Sequence, residues 1–197
     1  MMFQSRAGDD HYCSDCLDAP KRFRKARAFG VYDQVLMEAV HRLKYKGKVQ
    51  LARPLGRLLL AAFMTYWGDD PPNLVGPVPL HDKKLRERGF NQAFLLIRDW
   101  PRMAGALSLQ WPDVAIEREV LVRTRWTDSQ TGLGRKTRLQ NIKNAFGVRD
   151  ASRIYQKKIL LVDDVYTTGA TADECAGTLL KAGAEWVDVL TLARTLT

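Results

Sequence analysis

Short apolar runs and longer amphipathic stretches alternate along the last two thirds of the chain. A parallel strand buried on both faces is nearly continuous in apolar residues, whereas a helix repeats apolar positions every three to four residues. The strand-like runs are 74–80, 119–123, 146–148, 158–162 and 186–192, and the helix-like stretches are 91–100 and 170–182. This alternation predicts an α/β fold with a mainly parallel sheet flanked by helices.

Two further amphipathic helices are predicted upstream, within residues 33–67. Apolar residues recur there at helical spacing, first from Val35 to Leu43 and then from Leu51 to Tyr66. The sequence Asp-Asp-Pro-Pro at 69–72 then breaks the pattern and marks a boundary. We therefore expect three parts, which are a segment 1–28, a basic helical hood 29–72 and a sheet domain 73–197.

Candidate chemistry is concentrated at residues 159–171, which read ILLVDDVYTTGAT. An apolar strand ends in Asp163 and Asp164, a threonine-rich loop follows, and a helix begins near Ala170. Ligands of open α/β sheets bind at the carboxyl ends of strands, and the N–H groups of a helix N-terminus attract phosphate. The two carboxylates can hold ribose hydroxyls directly or through Mg²⁺. A sugar phosphate is therefore predicted here, with its phosphate on a loop made of Tyr166, Thr167, Thr168, Gly169, Ala170 and Thr171.

This stretch resembles the motif with which type I phosphoribosyltransferases bind 5-phosphoribosyl 1-pyrophosphate (PRPP). The chain lacks the Gly-Lys-Ser/Thr of a Walker A loop and the Gly-x-Gly-x-x-Gly of a dinucleotide-binding fold. A strand with a polar exit turn is the plainer interpretation, but it leaves the adjacent acids and clustered hydroxyls unexplained. The resemblance implies PRPP with Mg²⁺ as the ligand and Asp163 and Asp164 as its catalytic and metal-binding acids.

A second candidate segment is 78–92, VPLHDKKLRERGFNQ, where a cation-rich turn lies between a strand and a helix that begins near Asn91. Phosphoribosyl transfer releases pyrophosphate, and this turn suits a pyrophosphate loop. The backbone N–H groups of Leu80, His81 and Lys83 would face the diphosphate, and the lysines would supply charge. An exposed basic turn is the alternative interpretation.

A third candidate is the long basic segment 123–141 between two predicted strands. Loops of this length in compact domains are often lids, and a closed lid excludes water from a reactive sugar cation. Arg125 and Lys136 are the candidate lid cations for catalysis. A surface insertion is the alternative, although the spacing of Leu139, Ile142 and Phe146 favours docking of the segment onto the domain.

Composition limits the class of protein. The chain has 197 residues, of which 46% are hydrophobic, so one ordinary domain with an appendage is expected. No apolar run is long enough to span a bilayer, and the first residues do not resemble a signal peptide. We therefore expect a cytoplasmic protein without membrane insertion and with reduced thiols.

The net charge of +9 is confined to one part of the chain. Residues 21–58 contain eleven lysines and arginines against two acids, and the remainder is balanced. The charged residues of 21–57, with Lys21, Arg22, Arg24 and Lys25 at their start, are interleaved with Phe23, Phe29, Tyr32 and Tyr45. This pattern is typical of surfaces that bind single-stranded nucleic acid. A solvated surface without a nucleic-acid partner is the alternative.

The cysteines Cys13 and Cys16 form a Cys-x-x-Cys pair, which is half of a zinc ribbon. A closed structural site needs four ligands, so Zn²⁺ is expected only if a second pair exists. We expect that this start is internal to a longer protein carrying an upstream Cys-x-x-Cys.

Three segments together resemble the ComF/GntX family. They are Tyr32-Asp33 followed by HRLKYKG at 41–47, VPL at 78–80 with RERGFNQ at 86–92, and RTR at 123–125 followed by Gln130, Leu133, Arg138, Asn141 and Ala145-Phe146. The resemblance implies a type I phosphoribosyltransferase domain after a zinc ribbon. It also implies a role in natural transformation with single-stranded DNA, a competence translocase and a recombination mediator.

The resemblance leaves three functions open. The first is a phosphoribosyltransferase that transfers a pentosyl group from Mg²⁺-PRPP, and the second is a non-catalytic module for ribose phosphate and single-stranded DNA. The third is nucleobase salvage. Thr167 stands where purine-salvage relatives commonly carry an aspartate, and threonine is no base near neutral pH, so purine salvage by that route is disfavoured.

Overall fold

The computed structural model describes residues 20–126 and 142–195. The strands are β1 (Ala26–Val31), β2 (Leu74–Pro77), β3 (Ala115–Ile116), β4 (Leu121–Arg123), β5 (Phe146–Val148), β6 (Lys158–Tyr166) and β7 (Trp186–Arg194). The α-helices are α1 (Gln34–Tyr45), α2 (Ala52–Trp67), α3 (Asp82–Arg88), α4 (Gln92–Ile97), α5 (Trp100–Ala106) and α6 (Ala170–Lys181). Short 3-10 helices lie at Val49–Leu51 and Ala151–Arg153.

Five strands form one sheet in the order β1-β7-β6-β2-β3, and every neighbouring pair is parallel. The predicted central strand is confirmed, because β6 lies between β7 and β2. Its apolar residues alternate between two cores, with Leu160 and Val162 facing one side and Ile159 and Leu161 the other. This alternation explains a run that is apolar at every position: each face of the sheet is covered.

The helices cover the two faces unequally. Helices α1, α2, α4 and α5 pack in the first core, where Phe63, Trp67 and Trp100 are almost completely buried. Helix α6 packs in the second core through Ala172, Cys175, Ala176 and Leu179. Both predicted helices of 33–67 are therefore present, and they lie directly on the sheet.

Strand β1 was not predicted. It pairs in parallel with β7 from Ala26↔Val189 to Val31↔Arg194, so the expected boundary after residue 28 falls inside a strand of the central sheet. Sequence patterns miss this strand because it lies at an edge and carries half-buried residues and the exposed Phe29, with no fully buried position.

Other elements begin or end at residues that differ from the predictions made from the sequence. Residues 82–88, expected as a turn, form α3, which begins at its N-cap His81 and ends at Gly89 in the left-handed region. The predicted helix 91–100 is two helices, α4 and α5. Strand β6 continues to Tyr166, past both aspartates, because β7 pairs with it as far as Tyr166↔Arg194. Strands β4 and β5 form a separate antiparallel pair.

No helix in the described part of the chain is long and apolar enough to cross a membrane.

Candidate functional site

A cavity of about 490 Å³ lies at the carboxyl ends of β2 and β6. It brings together residues from the segments predicted to carry chemistry and from the hood. The β6 side contributes Asp163, Asp164, Tyr166, Thr167, Thr168, Gly169, Ala170 and Thr171, and the β2 side contributes Leu80 and Lys84. Further polar lining residues are Tyr32, His41, Lys44, Tyr45, Gln92, Arg123 and Thr191.

The loop between β6 and α6 is built around Gly169. Its φ of 70° lies in the left-handed region, and a Cβ added there would clash with the Tyr166 side chain. Gly169 is also the N-cap of α6 and offers no side-chain cap to the first turn. The first N–H groups of a twelve-residue helix therefore adjoin the cavity, with the positive end of the helix dipole. This is the arrangement that phosphate requires.

The two aspartates occupy different environments, because successive residues of a strand point to opposite faces. Asp164 is 3% exposed, and its Oδ2 lies 2.6 Å from the Nζ of Lys44. Asp163 lies opposite Thr191 of β7, and its Oδ1 accepts a hydrogen bond of 2.9 Å from the N–H of Asp164. Burial and the Asp164 carboxylate raise the pKa of Asp163 to about 7, although Lys44 opposes the shift.

Lys44 is a site residue that sequence reasoning missed. Burial works to lower the pKa of its ammonium, but the charges of Asp164 and Asp163 outweigh burial and raise it. Lys44 therefore stays charged and neutralises part of the acid pair. Its position was detectable, since Lys44 follows Val40 by four residues and falls on the inward face of an amphipathic helix.

A group of cations also borders the cavity. Lys84 of α3 and Arg123 of β4 line it. Burial, followed by repulsion from Arg123, Arg88 and Lys44, lowers the pKa of Lys84. Burial also lowers the pKa of Arg123. Cations held against one another in this way favour an anion, so this side of the cavity suits a diphosphate.

Two residues predicted for the pyrophosphate loop have other contacts. The Nδ1 of His81 accepts a hydrogen bond of 3.2 Å from the N–H of Lys83, so the His81 side chain caps the N-terminus of α3. The Nζ of Lys83 lies 4.8 Å from the ring centroid of Trp126. Neither side chain is among the residues that line the cavity, whereas Leu80 and Lys84 are.

The predicted lid is described only as far as Trp126. Arg125 donates a hydrogen bond of 2.7 Å to the carbonyl of Lys143 and is exposed. Lys136 lies outside the described residues, as do Cys13 and Cys16 with their predicted Zn²⁺.

The donor set fits Mg²⁺ only with help from a ligand. Among residues 20–126 and 142–195, no three His, Cys, Asp or Glu side chains are grouped to hold a metal. Mg²⁺ commonly binds through one or two carboxylates and the phosphates of a substrate. Asp163, whose ionisation is opposed by burial and by Asp164, is the group that a cation would stabilise.

The arginines of the basic segment 21–25 form ion pairs with acids of the sheet domain. Arg22 contacts Asp173 and Glu174, at 3.0 and 2.7 Å. Arg24 pairs with the buried Asp188 at 2.8 Å and lies 3.9 Å above the Trp186 ring. These two arginines therefore have acidic partners within the fold while their side chains stay partly exposed, at 39% and 43%, and nucleic-acid binding at these positions stays a prediction.

Relatives over nearly the whole chain support an assignment to a family. The DNA utilization protein YhgH of Escherichia coli strain K12 is 35% identical over 187 residues, which cover 93% of this chain and 78% of that protein. Competence protein F of Haemophilus influenzae is 33% identical, with the same coverage. Competence protein ComFC of Bacillus subtilis is 29% identical over 92% of this chain and 72% of that protein. The chain belongs to the ComF/GntX family, as the sequence motifs predicted.

No family model matches the chain. Similar solved structures include a glutamine PRPP amidotransferase from Bacillus subtilis, which is 15% identical over 72% of this chain and 26% of that one, with a TM-score of 0.43. A phosphoribosyltransferase from Corynebacterium diphtheriae is 17% identical over 82% and 90% of the two chains, with a TM-score of 0.36. The predicted α/β fold, a mainly parallel sheet flanked by helices, is confirmed by the strand order of the structure itself.

Proposed function

We propose that this ComF/GntX protein binds PRPP, or a related ribose phosphate, together with Mg²⁺ and acts in DNA uptake with single-stranded DNA. The observation that supports this most is the cavity itself. A helix N-terminus and loop for one phosphate, a carboxylate pair for ribose, and the cations Lys84 and Arg123 for a diphosphate all border one space of about 490 Å³. PRPP has these three parts in this order.

In catalysis the C1′–O bond to pyrophosphate breaks, positive charge develops on the ribose, and a nucleophile forms the new bond at C1′. Lys84 and Arg123 stabilise the departing diphosphate by their positive charge. Asp163 holds the ribose hydroxyls and stabilises the cationic sugar. The loop 167–171 fixes the 5′-phosphate, so that binding energy far from C1′ orients the reacting carbon. Mg²⁺, when bound, supplies further positive charge to the diphosphate.

We propose that single-stranded DNA binds at the mouth of the cavity, beside Tyr45. Tyr45 is 63% exposed, its ring lies 5.0 Å from that of His41, and the guanidinium of Arg88 lies 5.3 Å from its centroid. Exposed aromatic faces beside cations stack unpaired bases without reading their sequence. The names of the relatives, which refer to competence and DNA utilization, support DNA as the partner.

A non-catalytic binding module is the second candidate. Thr167 supports it, because threonine at this loop position cannot accept a proton from an incoming nucleobase. The same residue disfavours purine salvage. The competence translocase, the recombination mediator and a Zn²⁺ ribbon remain parts of the proposal that come from the family resemblance. A cytoplasmic location is a further part, and it comes from the composition of the sequence.

Turnover separates the two candidates. Purified protein is incubated with PRPP and Mg²⁺, with and without single-stranded DNA, and released pyrophosphate is measured. An enzyme releases pyrophosphate above the rate of a Thr168→Asp variant, in which a negative charge adjoins the phosphate loop. Equal release by both proteins, with PRPP still bound by the wild type, identifies the module.

A further inference from the structure

Residues 21–23 contact the back of the phosphate loop at three successive positions. The Nζ of Lys21 lies 3.5 Å from the carbonyl oxygen of Thr168. Arg22 binds the first turn of α6, and the buried ring of Phe23 meets the Tyr166 ring edge-on with 6.3 Å between centroids. The loop is thus bordered by the cavity on one side and by this segment on the other.

Arg22 makes the most specific of these contacts. Its backbone N–H donates to Oδ1 of Asp173 at 2.6 Å, and its Nε and Nη2 donate to Oδ2 at 3.2 and 3.0 Å. The same Nη2 donates to Glu174 at 2.7 Å. The guanidinium lies so close to Gly177 that an added Cβ would clash with it. An arginine fork is the side chain that can satisfy two carboxylates at once.

The two acids lie where negative charge is harmful to phosphate binding. Asp173 is in the first turn of α6, and its N–H donates to the carbonyl of Gly169, the N-cap that lines the cavity. Burial works against the ionised form of Glu174, but hydrogen bonds from Arg22 and from the N–H of Asn144 hold its pKa below the ordinary value. Two charged carboxylates therefore stand behind a loop that offers its N–H groups to an anion.

We infer that Arg22 is a positioning residue for the phosphate subsite, which it keeps competent by neutralising Asp173 and Glu174 behind the loop. Arg22 acts through these acids and does not reach the ligand. The inference rests on the proposed function, because it assumes that the loop 167–171 holds a sugar phosphate. It gives Arg22 a role in the pocket that is separate from the predicted role of the basic segment in nucleic-acid binding.

Calorimetry with ribose 5-phosphate and with inorganic pyrophosphate tests the inference. Arg22→Gln should weaken ribose 5-phosphate binding about five- to tenfold, the range expected for uncompensated charge near a helix terminus. Pyrophosphate, which binds at the Lys84 side, should keep its affinity. Arg22→Lys, which retains the charge, should stay within about threefold of the wild type. The control is Arg149→Gln, which removes an exposed ion pair with Glu119.

A rescue variant distinguishes the neutralisation of charge by Arg22 from a purely structural role of this side chain. The triple variant Arg22→Gln, Asp173→Asn, Glu174→Gln should regain wild-type affinity for ribose 5-phosphate, because the acids no longer carry charge. If the triple variant binds as weakly as Arg22→Gln, or if Arg22→Gln binds as well as the control, the inference is overturned while the proposed function stands. A wild-type protein that binds no ribose 5-phosphate overturns both.

Discussion

The protein has two basic regions, and they use their charge in opposite ways. In the segment 21–25 each arginine faces acids of the same fold, as Arg24 faces the buried Asp188. Around the cavity Lys84, Arg88 and Arg123 face one another, and their repulsion contributes to the lowered pKa of Lys84. Cations paired with acids stabilise the fold, whereas cations that repel one another favour the binding of an anion beside them. Charge counted along a sequence does not distinguish the two cases, because the partners lie about 150 residues away.

The largest expected effect concerns the first region. Asp188→Ala removes the fully buried carboxylate that accepts hydrogen bonds from Arg24 and from the indole N–H of Trp67. Breaking a buried ion pair costs about 3 to 5 kcal/mol, so urea unfolding should show a loss of that size. Glu119→Ala, which breaks an exposed pair with Arg149, should change stability by less than about 1 kcal/mol. Equal losses in both variants would remove the distinction between structural and available cations.

The adjacent aspartates provide the next test. Replacing Asp164 by Asn should lower the stability of the protein, whereas replacing Asp163 by Asn should raise it at pH 8. Asp164→Asn deprives Lys44 of its partner at 2.6 Å and should destabilise the protein by about 1 to 3 kcal/mol. The pKa of Asp163 rises from 3.8 to about 7 on folding. The contribution of its protonation to the free energy of unfolding is therefore fully present below pH 3.8 and is lost as pH rises through 7. Asp163→Asn should therefore raise the melting temperature at pH 8 and weaken PRPP binding.

Thermal unfolding of both variants between pH 5 and pH 8 measures this contrast. The wild type should lose stability across the range relative to Asp163→Asn. A melting temperature lowered by Asp163→Asn at pH 8 would show that this carboxylate serves the fold and not a ligand.

A further test of the cavity concerns its mouth. Tyr45→Ala should weaken binding of a labelled single strand by about 1 to 3 kcal/mol, the contribution of one stacked base. Tyr155→Ala is the matched control, because Tyr155 is 61% exposed and packs near Gly183, before the start of β7 and away from the cavity. Fluorescence anisotropy at low salt compares the two. Equal losses, or no binding by the wild type, would contradict the placement of the nucleic-acid surface.

The sequence predicted correctly those features whose residues are neighbours along the chain. The unit formed by β6, the loop and α6 was predictable because an apolar strand, two acids, hydroxyls and a helix follow one another within 159–182. Because the acids, the loop and the start of α6 follow the end of a strand, they lie at the carboxyl edge of the sheet. The predicted proximity of this loop to the strand end at Leu80 held for the same reason, since parallel strands end at a common edge.

The remaining features depend on contacts between distant segments. Strand β1 is defined by its pairing with β7, and its own pattern of half-buried residues signals neither strand nor helix. In the sequence, Lys44 is one of many cations of the hood. Only the folded structure, in which α1 packs beside β6, shows that it lies against Asp164. His81 and Lys83 were assigned to a turn, but the capping of α3 by His81 turns them away from the cavity and leaves Lys84 to line it.

Calorimetric titration of PRPP in the presence of Mg²⁺ tests the central claim, that one cavity holds both ends of this ligand. The wild type should bind one PRPP per chain, Lys84→Gln should bind it about tenfold more weakly through loss of one charged hydrogen bond, and Thr168→Asp should show no binding while retaining the wild-type melting temperature. Titration curves for the two variants that overlay that of the wild type would contradict the account.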